Sequence, residues 1–189
     1  MVPQVSYSKG ASNAMTLNEW ITYYRAMFFA LRMHAGQVDK GDKPYFRHLL
    51  RVSRRCKTPA AKIVALLHDT LEDTATTFHE LTERFGDEIA FEVRLLSKNY
   101  TVGCGDRKTY IKFISYSPIA REVKIADLID NMNLSRLQDI SLTDAQRQRK
   151  YSRDLVYLLS CEEDREIDGY ERGKSNYLWK VKAKTISWG

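Results

Sequence analysis

The chain predicts an all-α fold, a bundle of helices stacked around one core, and three observations predict it. Apolar residues recur at helical spacing along most of its 189 residues. Helix-start signals stand ahead of these runs, at Thr16/Glu19, Thr58-Pro59 and Thr77/Glu80. Alternation at the period of a strand enters only near the end, in "NYLWKVKAKTISW". That segment reads as either a short strand pair or a helix.

Thr16 and Glu19 form a capping box. The helix they open carries Trp20, Tyr23, Tyr24, Met27, Phe28 and Leu31 as an apolar stripe and should run to about Met33. Gly36, Gly41 and Pro44 break the pattern in "HAGQVDKGDKP". A second helix begins near Pro44, with Tyr45, Leu49, Val52 and Cys56 on its apolar stripe and Lys43, Arg47, Arg51 and Arg55 on another face. Thr58-Pro59 opens a third helix, reaching about Thr70. Thr77 opens a fourth that ends near Gly86, and Asp87 caps a fifth through about Ser97. The stretch "KNYTVGCGD", residues 98–106, reads as a glycine-bearing loop. Helix resumes through "RKTYIKFIS", breaks at Ser117-Pro118 and resumes through "IAREVKIADLIDNMNL". Thr143 or Asp144 opens a long final helix.

Residues 1–14 are small and polar and read as a loose tail or appended remnant; residues 15–189 read as a single domain. A chain this long can bury roughly 70% of its unfolded surface, so it needs no disulfide staples. Cys56, Cys104 and Cys161 are odd in number and form no CxxC, which implies free thiols and a reducing, cytoplasmic setting. No apolar run approaches a membrane span, and no signal peptide is evident. A net charge of +6 favours anionic partners without separating a nucleotide from a nucleic acid.

The most informative stretch is "VALLHDTLEDT", residues 64–74. An apolar helix ends on His68, Asp69, Glu72 and Asp73, which on a continuous helix span an arc of about 140°. Unpaired ionisable groups are costly to bury, and a divalent cation would compensate them. Imidazole with carboxylate suits Mn, Fe, Zn or similar ions. Of four histidines, His48 lies on the core-facing stripe of the second helix, His34 suits the end of the first, and His79 reads as surface. In "VKIADLIDN", Lys124, Asp127, Asp130 and Asn131 interrupt an apolar run; such an Asp is rarely buried without a partner.

His48, then His68-Asp69, then Asp127 resembles the H…HD…D order of the HD phosphohydrolases. "HAGQVDKGDKPYFRH", "ALLHDTLEDT", "RFGDEIAFEV" and "VKIADLIDN" resemble, in the same order, the hydrolase domain of RelA/SpoT-type proteins. Within that family it looks like the small stand-alone alarmone hydrolases, which include the metazoan SpoT homologue. The resemblance covers about residues 17–160 and implies an HD-domain helical bundle. It implies a small-molecule nucleotide substrate, removal of pyrophosphate from the 3′ position of ppGpp and pppGpp, and Mn2+ as cofactor, with Fe2+ or Zn2+ as alternatives. It makes His48, His68, Asp69 and Asp127 metal ligands, and makes Glu72 and Asp73 the pair that orients or deprotonates the attacking water. Asn131 falls near the nucleotide, and Lys40, Lys43, Arg47, Arg107, Lys108 and Lys124 are candidates to offset its phosphates.

The sequence departs from the family at two places. Asp39-Lys40 stands where the family often has a basic pair, which implies weaker base discrimination, and Leu49 follows His48 where proline is common. Two rival readings are an HD phosphohydrolase for another nucleotide, such as an adenosine alarmone, and an inactive nucleotide or RNA binder. Intact Glu72 and Asp73 weigh against the second rival.

Overall fold

The computed structural model describes residues 14–99, 106–136 and 141–163, with two short strand segments at 170–171 and 180–181. The chain is all-α over most of these residues. Helices α1 (Leu17–Met33), α2 (Phe46–Arg55), α3 (Pro59–Leu67), α4 (Thr70–Asp73) and α5 (Phe78–Phe85) form the first half. Helices α6 (Asp87–Leu96), α7 (Arg107–Tyr116), α8 (Pro118–Asn131) and α9 (Leu142–Glu163) form the second. A 3-10 turn spans Leu134–Arg136. Strands β1 (Tyr170–Glu171) and β2 (Lys180–Val181) pair antiparallel, which gives "NYLWKVKAKTISW" a strand at its centre. The expected tail, residues 1–13, and most of the 98–106 loop, Cys104 included, lie outside the described residues.

The bundle is organised around α3. Every residue from Ala60 to Leu67 except Lys62 is buried, as expected of a helix that is apolar all round. It packs against α1, α2, α6 and α8. Leu66, Leu67, Val52, Leu81, Val93, Ile114, Val123, Leu128 and Leu158 complete the core. The start signals act as expected. Thr16 and Glu19 form a complete capping box, Thr58 and Thr77 cap α3 and α5, and Ser117 caps α8 ahead of Pro118. Asp87 is instead the first residue of α6, because Gly86, with φ of 85°, makes the joint between α5 and α6.

Two expectations are corrected. The stripe read on α1 is split: Trp20, Tyr24, Phe28 and Leu31 are exposed, while Tyr23 and Met27 pack half-buried against the core. Ala26, Phe29 and Ala30 face inward, where two alanines let α1 lie close on α3 and Phe29 meets Phe85 edge-on at 5.5 Å. The second correction is that α3 does not reach Thr70. It stops at Leu67, His68 and Asp69 form a turn, and a separate one-turn α4 follows. The polar side chains themselves compete for the helix hydrogen bonds. The Ala65 carbonyl meets His68 Nδ1 at 2.8 Å, and Thr70 Oγ1 donates to the Leu67 carbonyl at 2.7 Å.

Between α1 and α2 the chain makes a small hairpin-like turn, with Val38 bridged to Pro44. Asp42 sits there in the left-handed region at φ 55°. This turn carries Lys40 and Lys43 and delivers Tyr45 to the start of α2.

Candidate functional site

The break at His68-Asp69 has a functional consequence. It turns the His68 ring inward beneath α2 and α8, where His48 and Asp127 meet it. His48 Nε2 lies 3.4 Å from Asp127 Oδ1 and 3.8 Å from Asp69 Oδ2. His68 Nε2 lies 2.9 Å from Asp69 Oδ2 and 3.8 Å from Asp127 Oδ1. The two imidazoles are 5.5 Å apart, centre to centre. Three separate stretches of chain, on α2, the α3–α4 turn and α8, therefore bring the four expected ligands together.

The donor set fits a divalent cation. One ligand atom each from His48, His68 and Asp69 lies within 4.8 Å of the others. His68 Nε2 is buried and has no hydrogen-bond partner: Asp69 Oδ2 is close enough, but the alignment is wrong for a hydrogen bond. A buried nitrogen aimed at two carboxylates without bonding to either is what a metal ligand looks like before its ion is considered. Histidine with carboxylate is a donor set for Mn, Fe or Zn.

Each of these four side chains is held from behind. His68 Nδ1 is fixed by the Ala65 carbonyl, and His48 Nδ1 by Asp130 Oδ2 at 2.8 Å. Asp69 Oδ2 accepts from the Tyr45 hydroxyl at 2.5 Å. Asp127 accepts from Lys124 Nζ at 2.8 Å and from Asn131 Nδ2 at 2.5 Å. Burial works against ionisation of the Asp69 and Asp127 carboxyls, but His68 beside Asp69 and Lys124 beside Asp127 hold both below the usual carboxylate range. Burial would likewise lower the Lys124 ammonium, and Asp127 raises it instead.

Glu72 and Asp73 flank this cluster on α4. Glu72 is bound by the Lys98 ammonium at 3.0 Å and by the Lys98 amide at 3.2 Å. Asp73 stands at the solvent edge with its carboxyl partly desolvated, and that desolvation, with the charges of Asp69 and Glu72, pushes it above the ordinary value. Of the expected substrate cations, Lys43, Arg47 and Lys108 are exposed, and Arg107 is paired with Asp154 and lies over the Tyr151 ring. Lys124 is buried against Asp127, so whatever it does for a substrate runs through that carboxylate. Asp39 is turned inward: its Oδ1 accepts from the Gly41 and Lys43 amides, and its side chain is 7% exposed. It shapes the turn instead of facing a ligand.

Beside the cluster opens a cleft of about 220 Å3, lined by Lys40, Tyr45, His48, Asn131, Arg147 and Tyr151. Lys40 Nζ reaches Asp144 Oδ1 at 2.9 Å, tying the turn to the start of α9 at one edge of the cleft. Sequence reasoning missed Arg147, Gln148 and Tyr151, because on a long polar helix they look like any solvated face. Tyr45 could have been found: it closes the G-x-x-P-Y motif, yet it reads there only as part of an apolar stripe. His34 is also more buried than a helix-end reading implies, with Nδ1 on Gln37 at 2.7 Å and its ring beside Tyr45.

This fold and this cluster define the class: the chain carries an HD domain related to the hydrolase region of RelA/SpoT-type proteins. Residues 26–99 match the family model described as "HD domain". A GTP pyrophosphokinase of Myxococcus xanthus is 35% identical over 120 residues, 61% of this chain and 14% of that protein. A guanosine-3′,5′-bis(diphosphate) 3′-pyrophosphohydrolase of Aquifex aeolicus is 35% identical over 117 residues, 57% of this chain and 17% of that protein. The chain therefore spans less than a fifth of the length of these curated relatives. Among solved structures, a metazoan orthologue of SpoT, described as hydrolysing ppGpp and playing a role in starvation responses, superposes with a TM-score of 0.62. That similarity is at 21% identity and covers 82% of this chain and 88% of the other, a likeness of fold. No helix among the described residues is long and apolar enough to cross a membrane.

Proposed function

We propose that this chain is a Mn2+-dependent 3′-pyrophosphohydrolase acting on the guanosine alarmones ppGpp and pppGpp. The observation that carries the reading is the convergence of His48, His68, Asp69 and Asp127, with the orphaned His68 nitrogen among them. The relatives' activities and the order of the motifs supply the substrate class. In this reading the four residues hold the ion, which when bound polarises the phosphoryl group and makes water easier to deprotonate.

The protein's own groups do the rest. Asp73, with its carboxyl raised, accepts the proton of the attacking water, and Glu72, anchored by Lys98, orients that water. Water oxygen bonds to the phosphorus on the ribose 3′ oxygen, the bond from phosphorus to that oxygen breaks, and the 3′ oxygen leaves and takes a proton from solvent water. Pyrophosphate and GDP, or GTP from pppGpp, are the products. Lys40, which lines the cleft, together with Lys43, Arg47, Arg107 and Lys108, offsets the diphosphate charge, with Lys124 and Asn131 acting through Asp127. Asn131 also lines the cleft that takes the nucleoside.

The test is a product assay with ppGpp, pppGpp, pppApp and GTP in Mn2+. Release of pyrophosphate from ppGpp and pppGpp supports the reading. Release from pppApp with neither guanosine compound cleaved would move the substrate to adenosine alarmones. Binding without cleavage of any of the four would leave a nucleotide-binding protein.

A further inference from the structure

Asp130 lies one turn past Asp127 on α8, and its side chain is 1% exposed. Its Oδ2 takes the His48 Nδ1 hydrogen bond at 2.8 Å. Its Oδ1 accepts from Arg51 Nε at 2.8 Å, and Arg51 Nη2 reaches Oδ2 at 3.1 Å. Arg51 also extends toward Asp39 Oδ2 at 3.4 Å, and Asp39 in turn holds the amides of the Gly41–Lys43 turn. The buried imidazoles are treated differently from one another. His34 Nδ1 meets the neutral amide of Gln37, and His68 Nδ1 meets a backbone carbonyl. Among the described residues, His48 is the buried histidine whose second nitrogen meets a carboxylate.

That difference has a chemical meaning. In the neutral ring, Nδ1–H donating to Asp130 is the tautomer that keeps Nε2 bare for an ion, and Nε2 is the atom that faces Asp127 and Asp69. A carboxylate behind a ligating histidine fixes its tautomer and ring orientation and makes it a stronger donor. A buried carboxylate needs its own compensation, and the Arg51 fork supplies two bonds and a charge. Arg51 and Asp130 each look ordinary alone, one as a member of a basic stripe and the other as a polar break in α8.

We propose that Asp130, anchored by Arg51, is a positioning residue that sets the tautomer and donor strength of His48 toward the metal ion. This rests on reading the cluster as a metal centre. It adds a role that acts through His48 without contact with substrate, and it links the metal centre mechanically to the turn that carries Lys40 and Lys43.

The experiment measures Mn2+ affinity of the full chain by competition with a chelating dye, with no nucleotide present. Asp130→Asn should weaken Mn2+ binding by roughly 10–100-fold, the usual cost of losing such a partner. It should also reduce the rise in melting temperature on adding Mn2+. The imidazole 15N spectrum of the metal-free protein, recorded with His48 neutral, should show His48 losing its single tautomer, a signature that a purely structural role would not produce. Arg51→Lys keeps a charge beside Asp130 but not the fork, and covers the case in which Asp130→Asn fails to fold. It should weaken Mn2+ binding by less than Asp130→Asn but measurably. A folded Asp130→Asn or Arg51→Lys protein with wild-type Mn2+ affinity overturns the proposal. A wild-type chain that binds no Mn2+ overturns the metal-centre reading beneath it, and the two failures are told apart because wild type is measured alongside.

Discussion

The His/Asp cluster and its proposed basic rim are built on opposite plans. In the cluster, His48, His68 and Asp127 are buried, and every ligand has a second contact that fixes it: Asp130, the Ala65 carbonyl, Tyr45, Lys124 or Asn131. On the rim, Lys43, Arg47 and Lys108 stand in solvent. The reason lies in what each group must do. A ligand must be placed to within a few tenths of an ångström, which needs packing and hydrogen bonds on its far side. A cation that offsets phosphate charge acts over several ångströms and tolerates a mobile stem. The cluster should therefore be intolerant of change and the rim forgiving.

The largest expected effect is at His68. His68→Ala should abolish hydrolysis and remove the melting-temperature rise caused by Mn2+, both measurable on one preparation. If turnover survives, the cluster is not the centre of the chemistry. The next effect separates ligands from catalysts. Glu72→Gln and Asp73→Asn should each lower turnover by about 10²-fold, the scale of general-base catalysis, while Mn2+ affinity stays near wild type. Loss of the metal in either variant would place that carboxylate among the ligands.

A smaller effect is expected at Tyr45, which touches the cluster without belonging to it. Tyr45→Phe removes a hydrogen bond to a charged carboxylate, worth about 1.5–3 kcal/mol. Thermal melting should show a stability loss of that order, with turnover reduced about tenfold and Mn2+ retained. The smallest effects belong to the rim. Lys43→Ala and Arg47→Ala should each raise KM for ppGpp by less than about fivefold and leave kcat unchanged, as exposed charges do. A hundredfold change from one rim cation would erase the contrast between the two regions.

The same contrast governs what was legible in the sequence. The four clustered side chains and the helices that carry them could be read because they sit in strongly patterned surroundings. His68-Asp69 ends an apolar run, and Asp127 interrupts another, so each stands out as a polar residue at an apolar position. Thr16, Thr58 and Thr77 could be read because capping chemistry is local, and Ser117, which reads only as a break, turns out to cap α8. What resisted was set by tertiary neighbours. Nothing local says that α1 turns Ala26 and Ala30 inward and leaves Phe28 out; the reason is the close approach of α3. Nor does periodicity show that His68 and Thr70 would take the carbonyls that α3 needed to continue. The Arg51–Asp130 pair joins residues 79 apart, and Arg147 and Tyr151 reach the cleft only because α9 lies across α8. In sequence Asp39 stands out only as a missing basic residue, whereas in the fold its Oδ1 closes its own turn.

The most direct measurement of the central claim is a crystal of the full chain grown with Mn2+ and measured at the manganese absorption edge. The account expects one strong anomalous peak between α2, the α3–α4 turn and α8. His48 Nε2, His68 Nε2, Asp69 Oδ2 and Asp127 Oδ1 should lie about 2.0–2.3 Å from it, in the range of first-row ions, after each has moved only slightly from its present place. A peak elsewhere, or none at millimolar Mn2+ with the four side chains in the same positions, would contradict it.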